Sequence, residues 1–314
     1  MCLALIPAVW PLRHAGSYVA LMPFHAEIPG DAEFLGLRAD PLPGRYHLTV
    51  ENHLARLDGR LYGGTAIAAS ITAAELVTER HALWMTTQFV STAPPGEDIV
   101  IDVDVLAPGH RTSQVRVTGT NPTGDVMFAS LGATGNHRPD GLHGTFENCP
   151  EVSAPDGSDP FSSPFELMTR ALGTEVPMPP VPEGVGFTTV IEFRAPEIHS
   201  HPDPGPGRIC IWARRRDRLP VTPALAAFVA DMVPLSIAAA CGVLGRGVSL
   251  DNSIRVGAFE ETEWVLVDLR PHLAVGDYGH GVAHLWSERG HLLGTASQSA
   301  TMTRFDLTDL PWER

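Results

Sequence analysis

Residues 61–79 read LYGGTAIAASITAAELVTE. The run contains no proline, is rich in alanine and is apolar almost throughout. It lacks the strict alternation of a half-exposed strand, and alanine is the strongest helix former. It therefore predicts a helix from about residue 64 to 79, buried in a core.

Strand-like segments surround this run. One precedes it at 45–51, and four follow at about 83–92, 98–107, 112–121 and 126–135. Turn chemistry separates the last four: Pro94-Pro95-Gly96, Pro108-Gly109 and Asn121-Pro122-Thr123-Gly124. A helix followed by consecutive hairpins predicts an antiparallel meander.

The same order recurs later. Strands are predicted at 186–194 and 208–215, and a helix over 222–240 with Pro223 in its first turn. Four more strands follow at 248–257, 263–271, 279–287 and 291–304. Laid on each other, the halves match Gly64 with Thr222 and Phe128-Ala129-Ser130 with Thr295-Ala296-Ser297. Between them lies a segment rich in Pro, Gly, Asp and Ser, including PEVSAPDGSDPFSS and PMPPVPEG, with one helical piece near 164–172. The expected organisation is an N-terminal extension over 1–21, one unit over 22–135, a linker over 136–185, a second unit over 186–306 and a tail over 307–314. Met22 offers an alternative start.

The chain has 314 residues, a net charge of -14 and four scattered cysteines. An acidic surface argues against nucleic acid as a general partner. The cysteine spacing matches neither a zinc site nor a disulfide framework, which fits a reducing cytoplasm. The sequence calls for no cofactor and no metal. His199-Ser200-His201 sits in a Pro-rich stretch and reads as a surface loop. The apolar start over 1–10 lacks signal-peptide features, and no apolar run is long enough to suggest membrane insertion.

Two features stand apart from the core pattern. Asp231 lies inside the apolar run AAFVADMVPLSIAAA, where an acid is costly unless it has partners or a task. Arg214-Arg215-Arg216-Asp217-Arg218 is the one dense basic run, and it could bind phosphates at residues Arg214, Arg215 and Arg216. A solvated loop is the alternative.

The order of elements resembles the acyl-CoA thioesterase II family, the TesB-like double hotdog enzymes. The resemblance rests on LYGGTAIAASITAAE, TTQFVSTAPPGEDIVIDVDVL, IEFRAPE, FVADMVP, VSLDNSIRV and TASQSATM, and spans roughly residues 30–135 and 186–304. It implies an α+β double hotdog: two antiparallel sheets, each wrapping a central helix, packed as an intramolecular pseudo-dimer. Further homo-oligomerisation stays open. The resemblance also implies hydrolysis of an acyl-CoA by water held at an Asp, a hydroxyl residue and a Gln. The matching positions here are Asp231, Ser249 and Gln298, with Ser where the family usually has Thr and with Asp251 and Asn252 as neighbouring candidates. The first-half counterparts Ala73, Trp84 and Leu131 are nonpolar, so the trio is expected once. Gly63, Gly64 and Thr65, at a helix start, could give a backbone N–H to the thioester oxygen; tight packing is the alternative. There is no G-x-S-x-G elbow. Two other readings remain: an acyl-CoA or lipid binder without turnover, and a hotdog enoyl-CoA hydratase, which would need a His beside Asp231.

Overall fold

The computed structural model describes residues 30–138, 141–173 and 184–305. The expected extension over 1–21 and tail over 307–314 lie outside the described residues. Five α-helices are present among them: α1 (Asp31–Leu35), α2 (Gly63–Thr78), α3 (Pro164–Ala171), α4 (Pro223–Ala230) and α5 (Val233–Ala240). Every residue of α2 from Gly64 to Glu75 is buried. Two of its hydroxyls are accommodated by bonding back one turn, Ser70 to the carbonyl of Ala66 and Thr72 to that of Ala68.

The first half carries β1 (Leu37–Ala39), β2 (Arg45–Thr49), β3 (His81–Phe89), β4 (Asp98–Pro108), β5 (Thr112–Thr120) and β6 (Val126–Gly135). The intervening segment adds β7 (Glu151–Val152) and β8 (Asp159–Phe161). The second half carries β9 (Ile191–Ala195), β10 (Ile198–Ser200), β11 (Ile209–Arg215), β12 (Gly245–Val256), β13 (Val265–Val275), β14 (Tyr278–Ser287) and β15 (Leu292–Arg304). All strands but β7 and β10 form one antiparallel sheet of order β1-β2-β4-β5-β6-β3-β12-β15-β14-β13-β11-β9-β8. The two expected sheets are thus continuous, joined edge to edge where β3 pairs with β12. That join removes two exposed strand edges at once. Each half curls around its own helix, α2 in the first and α4–α5 in the second, and α2 packs on α4. The fold is a double hotdog.

The helix expected over 222–240 is broken. α4 ends at Ala230, Asp231 leaves the helical region at ψ 39°, and α5 restarts at Val233. Pro234 explains the break: it has no N–H for the carbonyl one turn back, and its ring clashes there. The stretch Pro223–Ala240 is long and apolar enough to cross a membrane by composition, contrary to the sequence expectation, but it is mostly buried as these two core helices. The expected strand over 186–194 also starts late, because Phe187–Thr189 forms a 3-10 turn.

Candidate active site

A cavity of about 670 Å³ opens beside the helix break. Its apolar wall includes Leu61, Phe89, Met127, Phe128, Phe187 and Met232, with Phe165 and Met168 contributed by α3. Asp231 and Ser249 are among the polar residues that line it. Both halves therefore build one chamber: Gly63 comes from the start of α2, and Asp231 from the end of α4.

Asp231, Ser249 and Gln298 meet there. The Gln298 side-chain N–H₂ donates to Oδ1 of Asp231 at 2.6 Å and to Oγ of Ser249 at 2.7 Å. Its carbonyl oxygen accepts the backbone N–H of Val233 at 3.1 Å. That N–H is free because the helix has just restarted. It assigns the amide's orientation, with oxygen toward the helix and nitrogen toward the acid. Gln298 is 1% exposed and Asp231 6% exposed, so this polar set is walled off from bulk water except through the cavity.

Asn252 is the residue that sequence reading left as a mere neighbour. Its Nδ2 donates to Oδ1 of Asp231 at 2.9 Å. Ser249 and Asn252 are three apart and should point to opposite faces of a regular strand. A register shift between Ser249 and Asp251 resolves this, since the extra residue flips the parity and brings both side chains to Gln298 and Asp231.

Burial raises the Asp231 carboxyl from 3.8 to about 7. Hydrogen bonds from Asn252 and the Gly64 N–H, and the Arg56 charge, pull the other way. One expectation is corrected here: the Thr65 N–H donates to the Tyr62 carbonyl at 3.0 Å and is spent within the turn. Gly63 and Gly64 are left as the donors at this helix start with no acceptor in their own helix. Packing explains why both positions are glycine. A Cβ on Gly64 would lie 2.3 Å from the Phe228 carbonyl oxygen, and one on Gly63 2.5 Å from the Asp231 carboxylate.

The basic run does not reach the cavity. Arg214 pairs with Glu192 at 2.8 Å and Glu263 at 3.2 Å. Arg215 is buried between Asp217 and Asp31. Arg216 donates to the Thr188 carbonyl. The expectation that these three bind phosphates is corrected by their placement: none lines the cavity, Arg214 and Arg215 are held by carboxylates, and Arg216, just past β11, bonds a backbone carbonyl.

A second correction concerns the first half. The equivalent place there is also polar. Ser130 faces Thr87 across β3 and β6 as Gln298 faces Asn252 across β12 and β15. Ser130 bonds Thr87 at 2.8 Å and Ser70 of α2 at 2.9 Å. The alignment to Leu131 was one residue out, which on a strand selects the wrong face; Leu131 is 52% exposed. The sealed trio has hydroxyls and no acid, so it has no group to take a proton at neutral pH.

One cluster could in principle hold a metal: His201, Cys210 and Asp268 place their ligand atoms within 4.8 Å of one another. His201 is half-buried just past β10 with its ring turned inward, and its Nε2 meets Asp268 at 2.8 Å. Arg270 holds the other Asp268 oxygen at 2.8 Å. With that carboxylate already paired to a guanidinium, the cluster fits a satisfied structural network better than a cation site.

Residues 54–133 match the acyl-CoA thioesterase N-terminal domain, and residues 147–302 match the acyl-CoA thioesterase C-terminal domain. Among solved structures, a putative thioesterase from Novosphingobium aromaticivorans is 29% identical, with 84% of this chain and 97% of that chain covered and a TM-score of 0.71. A hot dog fold protein of unknown function from Alicyclobacillus acidocaldarius is 19% identical over 88% of this chain and 98% of that one, with a TM-score of 0.71. An acyl-CoA thioesterase II, TesB2 from Mycobacterium marinum, is 17% identical over 88% and 99%, with a TM-score of 0.63. A search of curated proteins returned no match.

Proposed function

We propose, from the premise that this chain belongs to the acyl-CoA thioesterase family, that it hydrolyses an acyl-CoA to the free acid and CoA at Asp231, Ser249 and Gln298. The observation that carries this reading is the Gln298 amide bonded to both Asp231 and Ser249 in the cavity wall.

A water between Asp231 and Ser249 gives a proton to the carboxylate while its oxygen attacks the thioester carbon. The Ser249 Oγ accepts from Gln298, so its own hydrogen is available to orient that water. A carboxyl poised near 7 is well matched to taking a proton at neutral pH. The Gly63 N–H, at the positive end of α2, supplies a donor for the developing oxyanion. When the C–S bond breaks, the proton on Asp231 passes to the leaving sulfur. Gln298 and Asn252 hold the carboxylate in place and do not touch substrate.

No histidine occurs among the described residues lining the cavity, which favours hydrolysis over hydration. An acid buried at the chamber wall, rather than in the sealed core, favours turnover over binding alone.

Thiol release from acyl-CoA esters of graded chain length tests the reading. Wild-type protein is expected to release CoA, and Asp231→Asn to lose about 10²–10⁴-fold in kcat. Equal turnover by the variant would remove Asp231 from the chemistry.

A further inference from the structure

We infer that Arg60 and Arg246 form the site for the phosphorylated nucleotide end of CoA, an inference that rests on the thioesterase reading for the identity of the ligand. The charged residues among those lining the cavity are Arg56, Asp58, Arg60, Asp231 and Arg246. Arg56 is paired with Asp58 at 2.5 Å. Arg60 and Arg246 are exposed, and neither guanidinium makes an ion pair or hydrogen bond among the described residues. Most arginines elsewhere are held by carboxylates, as Arg45, Arg116, Arg194, Arg214 and Arg270 are. Arg60 and Arg246 therefore place two unpaired cations on the lining of one cavity, in a chain with net charge -14.

Their placement suits a carrier that enters between the halves. Arg60 closes the tight turn before α2, where its carbonyl accepts the Arg56 N–H at 2.7 Å and Ala55 bridges Leu61. Arg246 stands near the start of β12, three residues before Ser249, or about 10 Å along the strand. One guanidinium thus comes from each half, on residues that line the same cavity as Asp231. CoA carries a diphosphate and a 3′-phosphate, and guanidinium groups bind such oxygens with paired N–H donors. The acyl chain then occupies the apolar wall, the thioester lies at Asp231, and the phosphates remain at the exposed rim. The arginines thereby select the carrier and leave the chemistry to other residues.

The test compares one acyl group on CoA, on dephospho-CoA and on N-acetylcysteamine, which has no phosphate. Arg60→Glu and Arg246→Glu are assayed beside wild type. Arg111→Glu, an exposed arginine of the β4–β5 turn, controls for net charge. Each cavity variant is expected to lower kcat/KM for the CoA ester on the order of tenfold at low salt. The preference for the CoA ester over the N-acetylcysteamine ester should fall with it, and added salt should shrink the difference. Arg111→Glu should keep the wild-type preference. Calorimetry with CoA alone should give the same loss of affinity, independently of turnover. An unchanged preference and unchanged CoA affinity in both cavity variants would overturn the arginine site even if hydrolysis is robust. Preferred hydrolysis of a carrier-protein thioester over the CoA ester would overturn it too. Weakened CoA binding in the variants with no hydrolysis of any ester would uphold the site and overturn the thioesterase reading.

Discussion

The backbone N–H of Val233 donates to the side-chain oxygen of Gln298, and this one bond turns the amide nitrogen toward Asp231 and Ser249. The donor exists because Pro234 interrupts the helix and α5 restarts beside it. A backbone defect in the core thus organises the polar group on the far strand.

Gln298→Leu should therefore remove the group shared by the acid and the serine. We expect a fall of about 10²-fold or more in kcat with a small change in KM. Stability should drop by about 1–3 kcal/mol, because the Val233 N–H is left buried without an acceptor. Steady-state kinetics and denaturant melts of the same preparation check both.

The pH profile should report Asp231. Hydrolysis needs the ionised carboxylate, so kcat/KM should rise through an apparent pKa near 7 and then level. Asn252 donates to the ionised form and lowers that value. Asn252→Ala should move the profile to higher pH, whereas a merely structural role for Asn252 would reduce activity without moving it.

Glu75 offers a stability test away from the chemistry. It is buried in α2, its carboxylate oxygen accepts the Ala82 N–H at 2.7 Å, and burial raises its pKa from 4.5 to about 8. The folded state holds this proton more tightly than the unfolded state. Its stabilising contribution is full below 4.5 and is lost as pH rises through about 8. Glu75→Gln keeps an acceptor for Ala82 and carries no charge. It should raise Tm at pH 9, on the order of a few kcal/mol in stability, with little effect at pH 4. Thermal melts across pH check the sign.

Arg215→Ala should act on folding and leave the substrate alone. The change strands Asp31, the first residue of α1, buried and deprived of its cation. A loss of about 3–5 kcal/mol is expected, with KM for the CoA ester unchanged. A raised KM at full stability would return the basic run to the binding surface.

Much of the architecture was legible in the chain. The alanine-rich run at 61–79, its counterpart at 222–240 and the turn residues between hairpins define two matching halves by local pattern alone. Asp231 was visible for the same reason, as one acid in an apolar helix. Periodicity and turn chemistry are local properties, and they survive without knowledge of the partners.

The rest depended on contacts distant in sequence. The register shift between Ser249 and Asp251 decides that Asn252 joins the site, and the one-residue register of β6 decides that Ser130 lies inside and Leu131 outside. The break at Pro234 frees a donor whose use is set by a strand some sixty-five residues away. The arginines follow the same rule: Arg214 and Arg215 of the dense run are neutralised by Glu192, Glu263, Asp217 and Asp31, while two isolated arginines stay unpaired at the cavity. Which charge is free and which face a side chain takes are fixed by neighbours that only folding brings together. That is why local pattern located the core, while the contacts around Asp231 came only with tertiary structure.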